Sequence, residues 1–412
     1  MKLLVQKFGG TSVSTQERRE LVVDKIESAV NKGFLPIVVV SAIGRKGDPY
    51  ATDTLINLAS SVGIKNNPRE MDMIMSCGEV ISCVVLSNTI KKRGYDNIVL
   101  TGGQSGIITD EKYGDAEVLR VEPHYINECI TKGLIPVIAG FQGISENGEI
   151  TTLGRGGSDV TGAIIGEALN AEAIEIYTDV EGVMTADPMI VPDAKVMNTI
   201  YYNEVFQMAE YGSKVIHPRA VEVAMRSSLP IFIKNTMSDS AGTLITNCDK
   251  NRRYRYDKSD KLLTAVAHVG GRARVRILFN GSAKEYENDN HLFNAIASEG
   301  ISIDMINVNP EFKLFIIVDD DIEKLETVLN KYGYNYEIKK NCSKVTIIGN
   351  KMRGVPGVMA KAISALAHHN IEVLQTSDSH TTISCLIESE YTNTAVNALH
   401  QEFELGKTAL SE

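Results

Sequence analysis

A lysine followed by two glycines, within residues 7–13 near the start of the chain, forms a pattern that can bind phosphate. The segment follows an apolar run typical of a strand and precedes a charged stretch typical of a helix. Because glycine has no side chain, its backbone N–H groups can close on an anion, and a nearby helix N-terminus adds favourable dipole charge. Lys7 could then reach the transferred end of a polyphosphate. An ordinary Gly-Gly turn beside a solvated lysine fits these residues equally well.

A second glycine-rich segment, Leu153–Asp159, is the best candidate for the site of a phosphate acceptor. Arg155 offers a planar guanidinium group suited to a carboxylate, and the two glycines after it free backbone donors. Ser158 or Asp159 is expected to cap the helix that follows. The glycine spacing is not that of a dinucleotide-binding loop. The alternative is a plain helix cap with Arg155 in a surface salt bridge.

Three further segments carry polar groups: Ser76–Glu79, Tyr177–Pro188 and Gly212–Pro218. The first interrupts a long helical stretch with a glycine, Gly78, and a carboxylate, and the second leaves a strand into a loop. Glu79 could hold a substrate ammonium, although an ordinary helical glutamate is just as consistent with the pattern. The loop that begins at Tyr177 is rich in turn residues and could wrap a nucleoside. Lys214, in the third segment, could face Lys7 across a phosphoryl group and balance charge at both ends of an in-line transfer.

The bulk composition excludes several classes of protein. With 412 residues, 43% of them hydrophobic, the chain is long enough for two or three domains with real cores. A net charge of −10 argues against nucleic acid or an anionic membrane as the main partner, so anionic substrates must meet local positive clusters. Neither a long apolar run nor a signal pattern is evident, which predicts a cytoplasmic protein. Six scattered cysteines predict reduced thiols rather than disulfides or a zinc site.

The order of strands and helices up to about residue 245 predicts an α/β sandwich with a largely parallel central sheet. The expected strands are Pro36–Ser41, Asn97–Thr101, Leu134–Ala139, Ala173–Tyr177 and Pro230–Lys234. The expected helices are Gln16–Asn31, Pro68–Arg93, Pro123–Lys132, Asp159–Leu169 and Asn203–Ala209. Ligands of such sheets collect at the carboxyl ends of the strands, and the segments described above fall in strand-exit loops.

A polar linker at residues 246–261 separates residues 1–245 from an internal duplication. At a constant offset of 70 residues, apolar positions of the first copy match apolar positions of the second, for example Val275 with Val345 and Ile317 with Ile387. Each copy has the strand and helix order of a ferredoxin-like βαββαβ unit, which predicts one domain at 262–340 and another at 341–412. Two copies suggest a paired module with a shared groove.

Taken together, these segments resemble the aspartate kinases of the amino-acid-kinase superfamily, followed by two regulatory repeats of the ACT type. The resemblance covers essentially the whole chain. It is strongest to the Gram-positive type that is sensitive to diaminopimelate, notably at residues 47–53 and 377–382. It implies an amino-acid-kinase domain followed by two tandem ACT domains.

The resemblance also implies roles for individual residues. The implied catalytic residues are Lys7, Asp159 and Lys214. The implied aspartate-binding residues are Ser41, Thr52, Glu79, Phe141, Arg155 and Ser158. The implied ATP-binding residues are Lys7, Phe8, Gly9, Gly10, Thr178, Asp179, Met184, Asp187, Met189, Lys214 and Val215. The implied effector pocket contains Ser302, Ile303, Asp304, Asn307 and Asn309.

The implied reaction is transfer of phosphate from MgATP, with Mg²⁺ carried by the nucleotide, to L-aspartate, giving 4-phospho-L-aspartate. This is the first step toward lysine, diaminopimelate, threonine and methionine. The acceptor carboxylate has a pKa of ~3.9 and needs no general base at neutral pH. Feedback by diaminopimelate, lysine or threonine through the ACT domains, and a homodimer formed by those domains, are also implied.

Two departures from the family pattern stand out. Met189 occupies the position after the Asp-Pro of the nucleotide loop, where family members usually have arginine. The first repeat lacks the Pro356-Gly357 turn of the second, so the two repeats are not expected to share one binding duty. Two alternatives remain: a related acetylglutamate or uridylate kinase, and a catalytically silent amino-acid sensor on the same fold.

Overall fold

The computed structural model describes residues 2–61, 63, 66–212, 215–247, 263–278, 285–349, 352 and 355–407, with only the backbone described at 285–289. These residues divide into two compact units. The first unit comprises the described residues within Met1–Val183, Val196–Ala209 and Lys214–Lys258. The second comprises the described residues within Met184–Lys195, Glu210–Ser213 and Ser259–Glu412.

The first unit contains an eight-stranded sheet and a four-stranded sheet. Its strands, in chain order, are β1 Lys2–Phe8, β2 Phe34–Val40, β3 Asn97–Leu100, β4 Ile107–Thr109, β5 Val118–Val121, β6 Ile135–Ala139, β7 Gln142–Ser145, β8 Ile150–Thr152, β9 Ala173–Thr178, β10 Thr199–Tyr201, β11 Ile231–Asn235 and β12 Thr243–Thr246. The large sheet has the order β10-β12-β11-β9-β1-β2-β6-β3, and only its β11–β12 pair is antiparallel among the described strands. The small sheet has the order β5-β4-β7-β8.

The described residues of the first unit form seven α-helices: α1 Gln16–Asn31, α2 Thr52–Ser60, α3 Pro68–Lys92, α4 His124–Thr131, α5 Gly157–Ala168, α6 Tyr202–Glu210, whose last residue falls in the second unit, and α7 Pro218–Ser227. Local sequence explains their starts. The side chain of Thr15 caps α1, and that of Asn67 caps α3, which begins at a proline whose missing N–H needs no partner there. By length and composition α3 could cross a membrane, but 56% of its most apolar window is buried inside the protein, as in a core helix.

The central strands of the large sheet are buried on both faces, as expected for a parallel sheet covered by helices. The predicted α/β fold with a parallel-rich sheet is therefore confirmed, and the start and end of α1 are those that the sequence predicts. The small sheet, β10, β12 and α7 are additions to the predicted elements. The added strands are only three or four residues long, too short to show a hydrophobic period. The buried residues of α7 do follow a helical spacing, which the sequence prediction did not use.

The second unit is built on one six-stranded sheet with the order β14-β15-β13-β16-β18-β17. Its strands are β13 Ala265–Leu278, β14 Asp304–Val308, β15 Phe312–Val318, β16 Asn335–Ile348, β17 Gln375–Asp378 and β18 Thr382–Glu388. Its helices are α8 Glu285–Ser298, α9 Ile322–Lys331, α10 Val358–His368 and α11 Thr392–Glu402. The 70-residue offset carries β15 onto β18 and α9 onto α11, as the duplication predicts.

The two repeats share their longest strands. Residues 272–278 of β13 pair with β15, whereas residues 265–269 pair with residues 344–348 of β16, within the second repeat. The second repeat thus takes a strand from the N-terminal end of the predicted first domain, 262–340. The predicted boundary at 340/341 falls inside β16. The two repeats form one continuous sheet because β13 and β16 each contribute residues to both of them.

Residues 184–195, which follow the predicted nucleotide strand, belong to the second unit. Ala186, Val191 and Ala194 are buried in the core of the second repeat. The Thr185 hydroxyl lies 2.9 Å from Nε2 of His400, and the Asn397 side chain donates to the Ile190 carbonyl at 2.8 Å. These contacts join the segment to α11.

Candidate active site

A cavity of about 450 Å³ opens in the first unit at the carboxyl ends of β1, β2 and β6. It is lined by residues from strand-exit loops and from three helices: Lys7, Gly10, Ser41, Ala42, Gly44, Arg45, Lys46, Ala51, Thr52, Asp53, Ile56, Met75, Glu79, Gly114, Phe141, Gly154, Arg155, Gly156, Gly157, Ser158 and Asp159. All six predicted aspartate-binding residues are among them. The parallel strands β2 and β6 bring Ser41 and Phe141 to one edge of the large sheet, and α2, α3 and the segment from the end of β8 into α5 supply the other four.

Lys7 and Asp159 form an ion pair at the floor of this cavity. Nζ of Lys7 lies 2.6 Å from Oδ1 of Asp159, and their side chains are only 12% and 13% exposed. Lys7 is the second-last residue of β1, and Asp159 lies in the first turn of α5. The pair therefore places a cation at a helix N-terminus, where the helix dipole and the ammonium both favour an anion.

Glu79 is a buried acidic residue, and one of its two carboxyl oxygens makes no hydrogen bond with the described residues. Its Oε1 accepts the Ala42 N–H at 3.2 Å, while Oε2 has no hydrogen-bond partner among the described residues. Burial raises the pKa of Glu79 to about 8, although the Ala42 hydrogen bond acts in the opposite direction. A buried carboxylate with a free oxygen is suited to receive a cationic group such as an ammonium.

The glycine next to Glu79 has a packing role. The sequence suggested that it interrupts a helix, but α3 runs without a break from Pro68 to Lys92. A Cβ at Gly78 would lie 2.9 Å from the Cβ of Ala42 and 3.1 Å from the Tyr50 carbonyl oxygen. The glycine therefore lets the loop after β2 approach the helix closely enough for the Ala42 N–H to reach Glu79.

The start of α5 differs from the expected cap. Gly156, in a left-handed conformation with φ 70°, is the N-cap residue, and no side chain caps the helix. Ser158 and Asp159 instead lie in the first turn, so the prediction that one of them caps α5 was wrong. The Asp159 carboxylate is instead paired with the Lys7 ammonium. Arg155 is exposed and makes no ion pair with the described residues, which leaves its guanidinium available.

Replacing Gly156 with alanine is expected to lower kcat/KM at least tenfold. A Cβ there would lie 2.2 Å from Cγ of His217, and the left-handed backbone costs a non-glycine residue ~1–2 kcal/mol. Because this added carbon would overlap His217, the loop that carries Arg155 must shift in the variant. Burial lowers the pKa of His217, and its Nδ1 has no partner among the described residues. Gly33→Ala is the control, since Gly33 also has a positive φ but no atom within 4 Å of its Cβ position. Equal kinetic losses in both variants would contradict the steric argument.

The predicted ATP-binding residues are more dispersed. Phe8 is buried and stacks on Tyr177 with ring centroids 4.8 Å apart, and the Gly9 N–H donates to the Tyr177 carbonyl oxygen at 3.1 Å. This Gly9 N–H is therefore already used, whereas Gly10 lines the cavity. Asp179 is exposed and pairs with Arg45. Thr178 is the last residue of β9, and its hydroxyl donates to Oδ1 of Asp179 at 3.2 Å.

The remaining predicted nucleotide residues lie elsewhere in the chain. Met184, Asp187 and Met189 belong to the second unit, where the Met189 side chain is almost fully exposed. Val215 is half-buried in the first unit. Lys214 lies outside the described residues. Within the described ranges no group of three or more His, Cys, Asp or Glu side chains is arranged to hold a metal ion.

The predicted effector residues lie on β14 and directly before and after it in the second unit. Asp304 pairs with Lys344, whose side chain is only 4% exposed and whose Nζ lies 4.4 Å from the centre of the Tyr211 ring. Ser302 and Asn307 are exposed, and Ile303 packs on the core of the first repeat. The Asn309 carbonyl accepts from Lys313 at 2.9 Å. Lys344, 40 residues from Asp304, could not be linked to it by any local pattern.

Sequence reasoning missed several residues of the cavity. Gly44, Arg45 and Lys46 add two cationic side chains to its rim. Their signal was a run of basic and small residues directly after β2, in a strand-exit position like those already singled out. The sequence interpretation did not use that run.

Known proteins resemble this chain over most of its length. The model of the family described as "Amino acid kinase family" matches residues 2–235, and a model of the ACT domain matches residues 337–401. Aspartokinase 1 of Bacillus subtilis is 41% identical over 407 residues, covering 99% of this chain and all of the relative. A structure of Escherichia coli aspartokinase III in complex with aspartate and ADP (R-state) has a TM-score of 0.80 at 24% identity and covers 97% of this chain and 99% of its own. The same enzyme with lysine and aspartate (T-state) has a TM-score of 0.72 at 24% identity, with the same coverage.

Proposed function

The chain belongs to the aspartokinases of the amino acid kinase family, and on that premise we propose that it transfers the γ-phosphoryl group of ATP to the side-chain carboxylate of L-aspartate. One observation carries the proposal. A single cavity contains the Lys7–Asp159 pair, the free oxygen of Glu79 and the exposed guanidinium of Arg155. Aspartate presents an ammonium and two carboxylates, which these groups complement.

Each group has a distinct task in the proposed mechanism. Arg155 holds the α-carboxylate of aspartate, and Glu79 holds its α-ammonium. The side-chain carboxylate is already ionised at neutral pH, so no base has to remove a proton. One of its oxygens forms a bond to the γ-phosphorus while the bond from that phosphorus to the bridging oxygen breaks, and the electron pair leaves on ADP. Lys7 neutralises the charge that gathers between the two anions.

ATP is the proposed donor, with Mg²⁺ arriving on its phosphates. The residues on the cavity side fit phosphate, since Lys7, Arg45, Lys46 and the N-terminus of α5 all favour an anion. When bound, the metal ion would neutralise phosphate charge. The contributions of Met184, Asp187, Met189 and Lys214 to nucleotide binding stay predictions.

ADP release with a panel of acceptors tests this function. We expect ADP with L-aspartate and none with N-acetyl-L-glutamate or uridine monophosphate. An N-acetylated amine needs no counter-carboxylate, so the buried Glu79 favours a free amino acid. ADP with one of the alternative acceptors and none with aspartate would replace the proposal with a different kinase. No ADP with any acceptor would replace it with a silent sensor.

The proposal extends to regulation and assembly. An end-product amino acid, namely diaminopimelate, lysine or threonine, would bind near Asp304 and feed back on the first step of their synthesis in the cytoplasm. Strand β14 is an edge of the six-stranded sheet, and Ile306 and Val308 are 52% and 56% exposed there. Exposed apolar edge strands are usually covered, which supports a homodimer formed through the ACT repeats.

We expect Asp304→Asn to weaken inhibition by the active effector about tenfold, within the range of typical allosteric coupling energies. The carboxylate would share its charge between Lys344 and the effector ammonium, and the amide would lose the second attraction. Inhibition curves with each of the three amino acids measure the change. Asp320→Asn, at an exposed position of the same repeat, is the control. Wild-type activity that ignores all three amino acids at millimolar concentration would exclude the regulatory part of the proposal.

A further inference from the structure

Asp72 is a fully buried carboxylate on α3 that does not line the cavity. Its Oδ2 accepts the backbone N–H of Thr152 at 2.8 Å and that of Gly114 at 3.0 Å. Its Oδ1 accepts the hydroxyl of Thr152 at 2.8 Å. One side chain therefore joins a helix to two separate segments, the loop at Gly114 and the end of β8 at Thr152.

The loop at Gly114 and the segment that follows β8 both lead directly into the cavity. Gly114 is itself a lining residue, and Thr152 immediately precedes the segment that carries Arg155 and Ser158. The loops are also tied to each other, because the Ala116 N–H donates to the Thr152 carbonyl at 2.9 Å. Asp72 thus holds, from outside the cavity, two main-chain segments that form part of its lining.

The fold explains why a carboxylate is needed at this point. β8 is the last strand of the four-stranded sheet, and its outer edge faces α3 rather than another strand. The Thr152 N–H points to that edge and would be a buried donor without a partner. Asp72 supplies the acceptor that a further strand would otherwise supply. Burial raises the pKa of this carboxyl, while its three hydrogen bonds lower it.

A second clamp acts on the same segment from the opposite helix. Arg219 of α7 donates to the Leu153 carbonyl at 2.9 Å, to Oδ1 of Asp115 at 3.2 Å and to the Ala116 carbonyl at 3.3 Å. The main chain at 152–153 is therefore held by α3 on one side and by α7 on the other. Arg219 is partly exposed, whereas Asp72 is inaccessible to solvent, so Asp72 is the stricter of the two constraints.

We propose that Asp72 is a positioning residue for the acceptor site: it sets the location of the Arg155 loop and so controls the affinity for aspartate without touching it. This inference rests on the proposed function. It assigns to Asp72 a much larger effect on the acceptor than on the nucleotide, because Gly114 and the segment after Thr152 lie on the Arg155 side of the cavity, whereas Lys7, Arg45 and Lys46 come from other segments.

The test compares Asp72→Ala and Asp72→Asn in the full-length protein. We expect D72A to raise the KM for aspartate about tenfold while the KM for ATP stays within twofold, because the alanine leaves the Thr152 and Gly114 N–H groups without an acceptor. The amide oxygen of D72N can still accept both N–H groups if its NH₂ donates to the Thr152 hydroxyl, so D72N should recover most of the affinity lost in D72A. Calorimetric titration with aspartate supplies a binding constant that does not depend on turnover.

Asn97→Ala is the matched control for lost stability. Asn97 is buried, and its side chain donates to the Ser87 carbonyl at 3.1 Å near the other end of α3. The Asn97→Ala variant should have a lower melting temperature than the wild type and unchanged KM values for aspartate and ATP. D72A with an unchanged KM for aspartate and a reduced kcat, or with both KM values raised equally, would overturn the proposal. Absence of aspartate turnover in the wild-type protein would instead refute the proposed function.

Discussion

Lys7→Ala is expected to lower the turnover number at least a hundredfold. Lys7 is the cation at the floor of the cavity, paired with Asp159 at 2.6 Å and largely shielded from water. Removing one preorganised donor from a site where charge develops typically costs ~2.7–4 kcal/mol of barrier, which is about 10²–10³ in rate. Steady-state kinetics with saturating aspartate and ATP measure the loss. A variant within threefold of wild type would contradict the role assigned to Lys7.

Lys2→Ala provides the matched control for this variant. Lys2 lies on the same strand as Lys7 but is exposed at its opposite end. Its removal changes the net charge by the same amount and should leave the turnover number unchanged. Because K7A also leaves Asp159 without its partner, the melting temperature of both variants must be compared. A loss of folded protein in K7A would account for reduced activity without any catalytic role.

Glu79→Gln is expected to lower kcat/KM for aspartate by about thirtyfold or more, chiefly through KM. Truncating one partner of a buried, hydrogen-bonded charge pair costs ~2–5 kcal/mol, and each 1.4 kcal/mol is about a factor of ten. Glutamine keeps the size of the side chain and can still accept the Ala42 N–H, but it has no charge for the substrate ammonium. Glu204→Gln is the control, because Glu204 is also buried in the first unit and accepts the Tyr201 N–H at 3.1 Å. Equal kinetics for wild type and E79Q would remove Glu79 from the acceptor site.

The raised pKa of Glu79 also predicts how binding depends on pH. Burial raises this pKa to about 8, so below pH 8 the free protein carries a protonated Glu79. An ammonium favours the carboxylate form, so binding of aspartate releases a proton. The KM for aspartate should therefore fall as the pH rises toward 8, by up to about tenfold per unit, and then level off. E79Q should lack this dependence.

The same pKa shift sets the sign of a change in stability. The pKa of Glu79 is higher in the folded protein than in the unfolded chain, so its contribution to the free energy of unfolding is fully present below the unfolded value of 4.5. The contribution is lost as the pH rises through about 8. Melting curves of the unliganded protein should accordingly favour E79Q over wild type at alkaline pH. The comparison gives a reading of the Glu79 pKa that needs no substrate.

Much of the fold could be read from local patterns. The buried strands of the first unit are continuous apolar runs bounded by turn residues, and each helix between them has a recognisable start or end. Because parallel strands end at the same edge of their sheet, the loops of Ser41 and Phe141, which follow β2 and β6, could be expected to meet. Arg155 follows β8 of the small sheet, which was not predicted. The 70-residue offset likewise revealed both repeats.

Other features depend on long-range pairing that no local pattern records. The exchange of residues 265–269 into the second repeat joins segments about 80 residues apart in the chain. The packing of residues 184–195 into the core of the second unit is of the same kind. Asp72 was visible only as an acidic residue inside an apolar helix, and its partners at 114 and 152 were not. The reason for Gly78 became clear only from the position of Ala42.

The central claim is that cationic side chains and a helix N-terminus bring aspartate and a phosphoryl donor together for direct transfer. Incubation with MgATP, L-aspartate and hydroxylamine tests it most directly, since hydroxylamine converts an acyl phosphate into a stable hydroxamate. We expect aspartyl hydroxamate to accumulate in step with ADP in the wild-type protein and to fall at least a hundredfold in K7A. Release of ADP without hydroxamate, or equal hydroxamate formation by wild type and K7A, would contradict the proposed transfer.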